Sequence, residues 1–93
     1  MKYVMLYETA PEGLARAWEH YPSHRARLDE FHSRGVLLMS GPLLNADGTP
    51  QGGALGVFTT REAAEEFVNG DPFVLNGVVA SWKIHDWNEV LAP

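Results

Sequence analysis

The sequence predicts an α+β fold of the ferredoxin-like βαββαβ type, in which a four-stranded antiparallel sheet carries both helices on one face. Three observations lead there. Along the 93 residues, segments of strand and helix period alternate as strand, helix, strand, strand, helix, strand, the split βαβ order. Each helical segment ends at a glycine, Gly35 and Gly70, the residue that most readily takes the backbone turn closing a helix. The first strand is apolar on both sides, Tyr3, Met5 and Tyr7 alternating with Val4 and Leu6, whereas a sheet with one wet face shows a cleaner polar alternation. The face without helices therefore needs a cover, and a homodimer with its sheets packed face to face supplies one.

Element by element, Lys2 to Tyr7 (KYVMLY) reads as a strand that leaves the sheet at the break Thr9-Ala-Pro-Glu-Gly13. Glu12 to Arg34 is helical in composition except for Pro22. That ring clashes with the preceding turn, so a short helical piece is expected before it and the main helix after it. Val36 to Leu44 resembles a buried strand interrupted by Gly41-Pro42, and a proline that cannot donate to a ladder marks an edge, a bulge or a strand end. Asn45 to Gly53 is expected to be a flexible connection with a turn at Asp47-Gly48. Ala54 to Phe58 reads as the third strand. Thr59 and Glu62 have the spacing of a capping box, and Ala63, Ala64, Phe67 and Val68 supply a helical stripe. After the segment DPFVLNG, Val78 to Trp87 alternates as a fourth strand.

Composition bounds the function. With 45% hydrophobic and 20% charged residues, residues 1–93 read as one domain. A chain this short buries only about 60 to 70% of its unfolded surface, a second reason to expect pairing. No cysteine is present, which excludes disulfides and thiolate metal sites and leaves four histidines as the soft ligands. The net charge of −5, with seven scattered lysines and arginines, argues against nucleic acid, whose phosphates require clustered cations. The N-terminus lacks the apolar run of a signal peptide, and nothing approaches the roughly 20 apolar residues of a membrane span. A cytoplasmic location is expected.

The chemistry is expected around one histidine. In YPSHRARLDEF, Tyr21 to Phe31, a rotation of about 100° per residue places His24 on one stripe with Leu28 and Phe31. A histidine in that position is either a core residue satisfied by a carbonyl or a general acid/base facing a pocket. Asp71, just past the second helix, is either an Asx turn before Pro72 or the carboxylate that orients the imidazole. The segment MSGPL, Met39 to Leu43, places Ser40, Gly41 and Pro42 near a strand end, either as an ordinary terminator or as a backbone with free N–H groups aimed at a ligand. Phe73, Trp82 and Trp87 are either core or the apolar walls of a small-molecule pocket. His20 and His24 have metal-ligand spacing, but Pro22 lies between them and no third ligand is evident, so no metal is expected.

Taken together, PSHRARLDEF, SGPLL, DPFVLNGV and the terminal KIHDW resemble the YciI-like (YCII-related) proteins of the dimeric α/β-barrel class, and the resemblance covers nearly the whole chain. It implies a His-Asp catalytic pair at His24 and Asp71, with Ser40 of the small-residue-Gly-Pro motif beside it; from the residue patterns above, Ser40, Gly41, Pro42, Phe73 and Trp82 are the expected substrate-binding positions. Many relatives carry arginine three residues before the helix histidine, where this chain has Tyr21. Elimination of chloride from chlorinated hydroxylated aromatics is one chemistry associated with the family. The first expectation for function is an enzyme that uses His24 as general acid/base, oriented by Asp71, on a small cyclic or aromatic substrate in a lyase, isomerase or hydrolase reaction, a chemistry that requires no cofactor. Two other functions remain open: a cofactor-free oxygenase, as some other dimeric α/β barrels are, and a non-catalytic module that binds a small-molecule ligand.

Overall fold

The computed structural model describes all 93 residues. Its elements are β1 (Lys2–Thr9), α1 (Gly13–Ser33), β2 (Leu37–Leu44), β3 (Pro50–Phe58), α2 (Arg61–Gly70), the single turn α3 (Pro72–Leu75) and β4 (Val79–Trp87). The strands form one sheet in the order β2-β3-β1-β4, with every pairing antiparallel, as the ferredoxin-like order requires. No helix is long and apolar enough to cross a membrane.

Strand alternation sorts the sheet into two faces. Met5 and Tyr7 of β1, Leu37 of β2 and Phe58 of β3 turn toward the helices and meet Phe31 of α1 and Ala63, Ala64, Phe67 and Val68 of α2 in one core. Leu6 points the other way and is 37% exposed. Gly13 seats the start of α1 against the start of β4, since a Cβ there would run into the Val78 carbonyl oxygen. At the other end of α1, Gly35 takes φ +79° and lets the Val36 N–H bond back to Phe31 O at 3.2 Å, the closing turn expected there.

Five expectations need correction. The second strand is not buried: β2 is an edge strand in which Leu37 alone is buried. The first helix is continuous through Pro22. Pro22 and Trp18, whose carbonyl loses its partner, are both exposed, Trp18 to 82%, so the missing bond is not stranded in the core. The third strand starts four residues before Ala54, and the connection shrinks to a turn in which Asn45 N–H bonds Thr49 O and Gly48 N–H bonds Asn45 O. Glycines 52 and 53 weaken a strand signal by composition, yet Gly53 pairs with Glu8 of β1 and Pro50 with Leu44 of β2. The cap of α2 is Thr60 rather than Thr59: its hydroxyl accepts from the Ala63 N–H at 3.1 Å. Finally, DPFVLNG, in which periodicity predicts no element, contains α3.

Candidate active site

The site begins with how the end of α2 is held. That helix has no basic residue in its last turn, so its terminal carbonyls need donors from elsewhere. Arg27 of α1 supplies them, with Nε to Phe67 O at 3.1 Å and a terminal nitrogen to Glu66 O at 2.7 Å. Gly70 leaves room for this, since a Cβ there would collide with the guanidinium. Arg27 lies one turn beyond His24. The clamp therefore brings the next residue after α2, Asp71, up to the face of α1 that carries His24.

Asp71 is fully buried. It closes α2 and opens α3, and its carboxylate accepts three hydrogen bonds. Oδ1 takes the Phe73 N–H at 3.1 Å, so the Asx cap is present. The same oxygen lies 2.7 Å from His24 Nδ1, and Oδ2 accepts the Tyr7 hydroxyl at 2.7 Å. Both readings of Asp71 thus have their geometry, because a carboxylate has lone pairs enough for a cap and an imidazole together. An ionised carboxylate only accepts, so the shared proton sits on His24 Nδ1. That leaves Nε2 as the nitrogen free to exchange a proton.

The imidazole is held flat. Its side chain is 12% exposed and stacks on Phe73 with centroids 3.8 Å apart and planes 5° from parallel, while Phe67 meets it edge-on at 6.3 Å. Burial, and next the Asp71 carboxylate, push the Tyr7 phenol far above its usual range. Tyr7 is therefore held in its protonated form, as a hydroxyl donor, near neutral pH.

His24 lines a cavity of about 860 Å³ between α1 and the β2–β3 half of the sheet. Trp18, Tyr21 and Leu28 form its helix wall, and Tyr7, Ser40, Gly41, Pro42 and Ala54 its sheet wall, with Phe73 beside the imidazole. Of the positions expected to bind substrate, the structure thus brings Ser40, Gly41, Pro42 and Phe73 to the same cavity as His24. It does not bring Trp82 there. Trp82 is 40% exposed and borders a shallower depression with Leu43, Gln51 and Lys83. His20 does not line the cavity either, and its nearest charged neighbour is Glu19 at 3.9 Å. The one cationic lining residue besides histidine, Arg25, is paired with Asp29 at 3.2 Å and leans on the Tyr21 hydroxyl at 3.4 Å.

Sequence reasoning missed Tyr7 and Arg27. Tyr7 was counted as an apolar core residue of the first strand, although a buried phenol must find a partner, and that requirement was the available signal. Arg27 had none, because which carbonyls it reaches is decided by the tertiary fold.

Comparison with known proteins agrees with this architecture. Two relatives named Protein YciI, from Escherichia coli O6:H1 and Shigella flexneri, are each 29% identical over 97 aligned positions that cover 97% of this chain and 99% of theirs. A solved structure of 5-chloro-2-hydroxyhydroquinone dehydrochlorinase (TftG) from Burkholderia phenoliruptrix AC1100, in complex with 2,5-dihydroxybenzoquinone, superposes with a TM-score of 0.77 at 22% identity, covering 95% of this chain and 94% of that one. At that identity the likeness is one of fold. The YCII-related domain model matches residues 1–88, and the chain belongs to that family.

Proposed function

We propose that the protein is a small-molecule enzyme in which His24, oriented by Asp71, moves a proton on a hydroxylated ring held in the cavity. The observation that carries this reading is the 2.7 Å contact between His24 Nδ1 and a fully buried carboxylate, in the wall of an otherwise largely apolar cavity. A histidine serving packing alone is expected to have both nitrogens satisfied or solvated. Here Nδ1 alone is bonded within the chain, and the residue borders the cavity.

The chemistry follows from the tautomer. Neutral His24 presents the Nε2 lone pair, accepts a proton from a substrate hydroxyl or acidic carbon, and becomes an imidazolium that Asp71 stabilises at contact distance. In an elimination, the leaving group departs with the bonding electron pair while the proton rests on Nε2; in an isomerisation, the proton returns to another atom of the ring. The structural neighbour is named for removal of chloride from a chlorinated hydroxyhydroquinone, a reaction of the first kind. Rings of that class, flat enough to lie against Phe73 and small enough for the cavity, are the proposed substrates. The same reading takes the working unit to be a homodimer paired through the sheet face that carries Leu6, and sedimentation at micromolar concentration checks it.

The test is turnover of chlorinated and unchlorinated hydroxyhydroquinones by the wild type and by the His24→Ala and Asp71→Ala variants. Either replacement is expected to cut kcat/KM by roughly 10²- to 10⁴-fold, the usual worth of a positioned acid/base, and the double variant to lose little more. Strictly additive losses would mean that the two residues are not a unit. Tight binding without turnover would make the protein a ligand-binding module, and consumption of oxygen would make it an oxygenase.

A further inference from the structure

The acid/base reading uses His24 and Asp71 and leaves one buried titratable group unemployed. Tyr7 sits on β1, 64 positions from Asp71 in the chain, and is 6% exposed. Its hydroxyl does not merely approach the carboxylate. It takes Oδ2, while His24 and the Phe73 N–H share Oδ1, so the two oxygens of Asp71 are divided between the tyrosine and the imidazole. Resting on the acid/base reading and deepening it, we propose that Tyr7 is a positioning residue that sets how strongly the His24–Asp71 pair holds its proton.

The physical argument concerns one carboxylate and its donors. Each hydrogen bond that a carboxylate accepts draws charge from it and lowers its affinity for protons, and inside a protein such bonds act on one another along a chain. With Tyr7 donating to Oδ2, Asp71 pulls less strongly on the proton of His24 Nδ1. Without that donor, Oδ2 would be a buried oxygen with no partner, and the whole pair would become more basic, whichever of the two groups hosts the extra proton. Tyr7 also fixes geometry, because a carboxylate held at both oxygens cannot rotate away from the imidazole.

Other groups near the pair do not offer the same control. From α1, Tyr21, Arg25, Asp29 and His32 border the cavity, but Arg25 and Asp29 pair with each other and His32 Nδ1 is engaged by Leu37 O at 2.8 Å. Arg27 exerts a field on Tyr7, though its donors are spent on the carbonyls at the end of α2. From α2, Glu66 is held by Arg34 at 3.0 and 3.1 Å. The residues of α3, β2 and β3 contain no titratable side chain. Among titratable side chains, Tyr7 and His24 are the ones that touch the Asp71 carboxylate.

The experiment follows the His24 ring signals by NMR as pH is varied, with His24→Gln identifying the resonances. In Tyr7→Phe, a change of one oxygen atom, the titration midpoint is expected to rise by about 0.5 to 1 pH unit relative to wild type, because the pair loses a donor. Site-specific 3-fluorotyrosine at position 7, a stronger donor of nearly the same size, is expected to lower it, and this variant covers the case in which Tyr7→Phe does not fold. In an Asp71→Asn background, Tyr7→Phe is expected to leave the midpoint in place. An unmoved midpoint in Tyr7→Phe, an upward shift with 3-fluorotyrosine, or an equal shift without the Asp71 carboxylate would each overturn the proposal. None of these readings needs a substrate. A correct set of shifts with no turnover would therefore count against the acid/base function and leave the role of Tyr7 standing, while turnover with unmoved midpoints would do the reverse.

Discussion

The two halves of the inner face of α1 meet the same sheet and come to different ends. Toward the C-terminus, Phe31 is fully buried and packs edge-on against Phe67, with centroids 5.2 Å apart, beside Phe58 and Leu37. Toward the N-terminus, Leu28, His24 and Tyr21 border open space. The helix does not explain this, because Leu28 and Phe31 are one turn apart on one stripe. The sheet does. At the closed end, the cross-strand row facing the helices is Leu37, Phe58 and Tyr3; at the open end it is Pro42, Ala54 and Tyr7. Small side chains on β2 and β3 leave a gap that α1 cannot fill, and the buried His24–Asp71–Tyr7 network lies along its wall. The cavity is thus a consequence of residue size at a few register positions.

The closed end should carry the larger share of stability. Phe31→Ala is expected to cost about 3 to 5 kcal/mol, the range for deleting a fully buried aromatic ring. It also removes the surface over which Arg27 and Arg34 lie, at 4.9 and 4.4 Å. Against a total stability of roughly 5 to 15 kcal/mol for a small domain, such a loss is a large fraction, readable as a shift in the urea midpoint. A cost below about 1 kcal/mol would mean that the closed end is not the dry, well-packed half described here.

The same contrast explains what could be read in advance. The order of strand and helix periods is a local property, so the fold was legible from it, as was the His24, Leu28 and Phe31 stripe. Asp71 was legible as a candidate because in this fold the end of the second helix can approach the first, and because the resemblance to the YciI-like proteins pairs that position with His24. Pro22 misled because its cost depends on whether the orphaned Trp18 carbonyl faces water, and periodicity alone does not weigh that. The early start of β3 was hidden by Gly52 and Gly53, whose weak strand propensity is overridden by pairing on either side of them, Gly53 with Glu8 of β1 and Pro50 with Leu44 of β2. Tyr7, Arg27 and the position of Trp82 depend on contacts between distant segments, and no spacing along the chain encodes them.

Leu28→Ala sharpens the comparison, being one turn from Phe31 on the same helix. A fully buried leucine truncated to alanine costs about 2 to 5 kcal/mol. Leu28 is only half-buried and already faces the cavity on one side, so it has fewer contacts to lose and creates less new void. A cost of about 1 to 2 kcal/mol is therefore expected, by the area removed from contact. Chemical denaturation of both variants under one set of conditions gives the ratio, and equal costs at Leu28 and Phe31 would erase the distinction between the two ends.

The smallest effect on stability, and the most direct test of why the open end is open, is expected from Ala54→Leu. Ala54 stands opposite both Tyr7 and Pro42 in the helix-facing row and lines the cavity. Enlarging a side chain in a packed core forces strain worth about 1 to 3 kcal/mol. Here the added carbons enter existing space and bury apolar surface against Leu28 and the sheet, so the two contributions nearly cancel and the melting temperature should move little in either direction. The volume available to a ligand falls all the same. Binding of a hydroxylated ring should weaken by at least about tenfold, equivalent to roughly 1.4 kcal/mol, while the His24 titration stays as in the wild type because no donor to Asp71 has changed. A strongly destabilised Ala54→Leu would show that the open end is as tightly packed as the closed one. Unchanged ligand affinity in a stable variant would place the ligand elsewhere on the molecule, and with it the reason for leaving Pro42 and Ala54 so small.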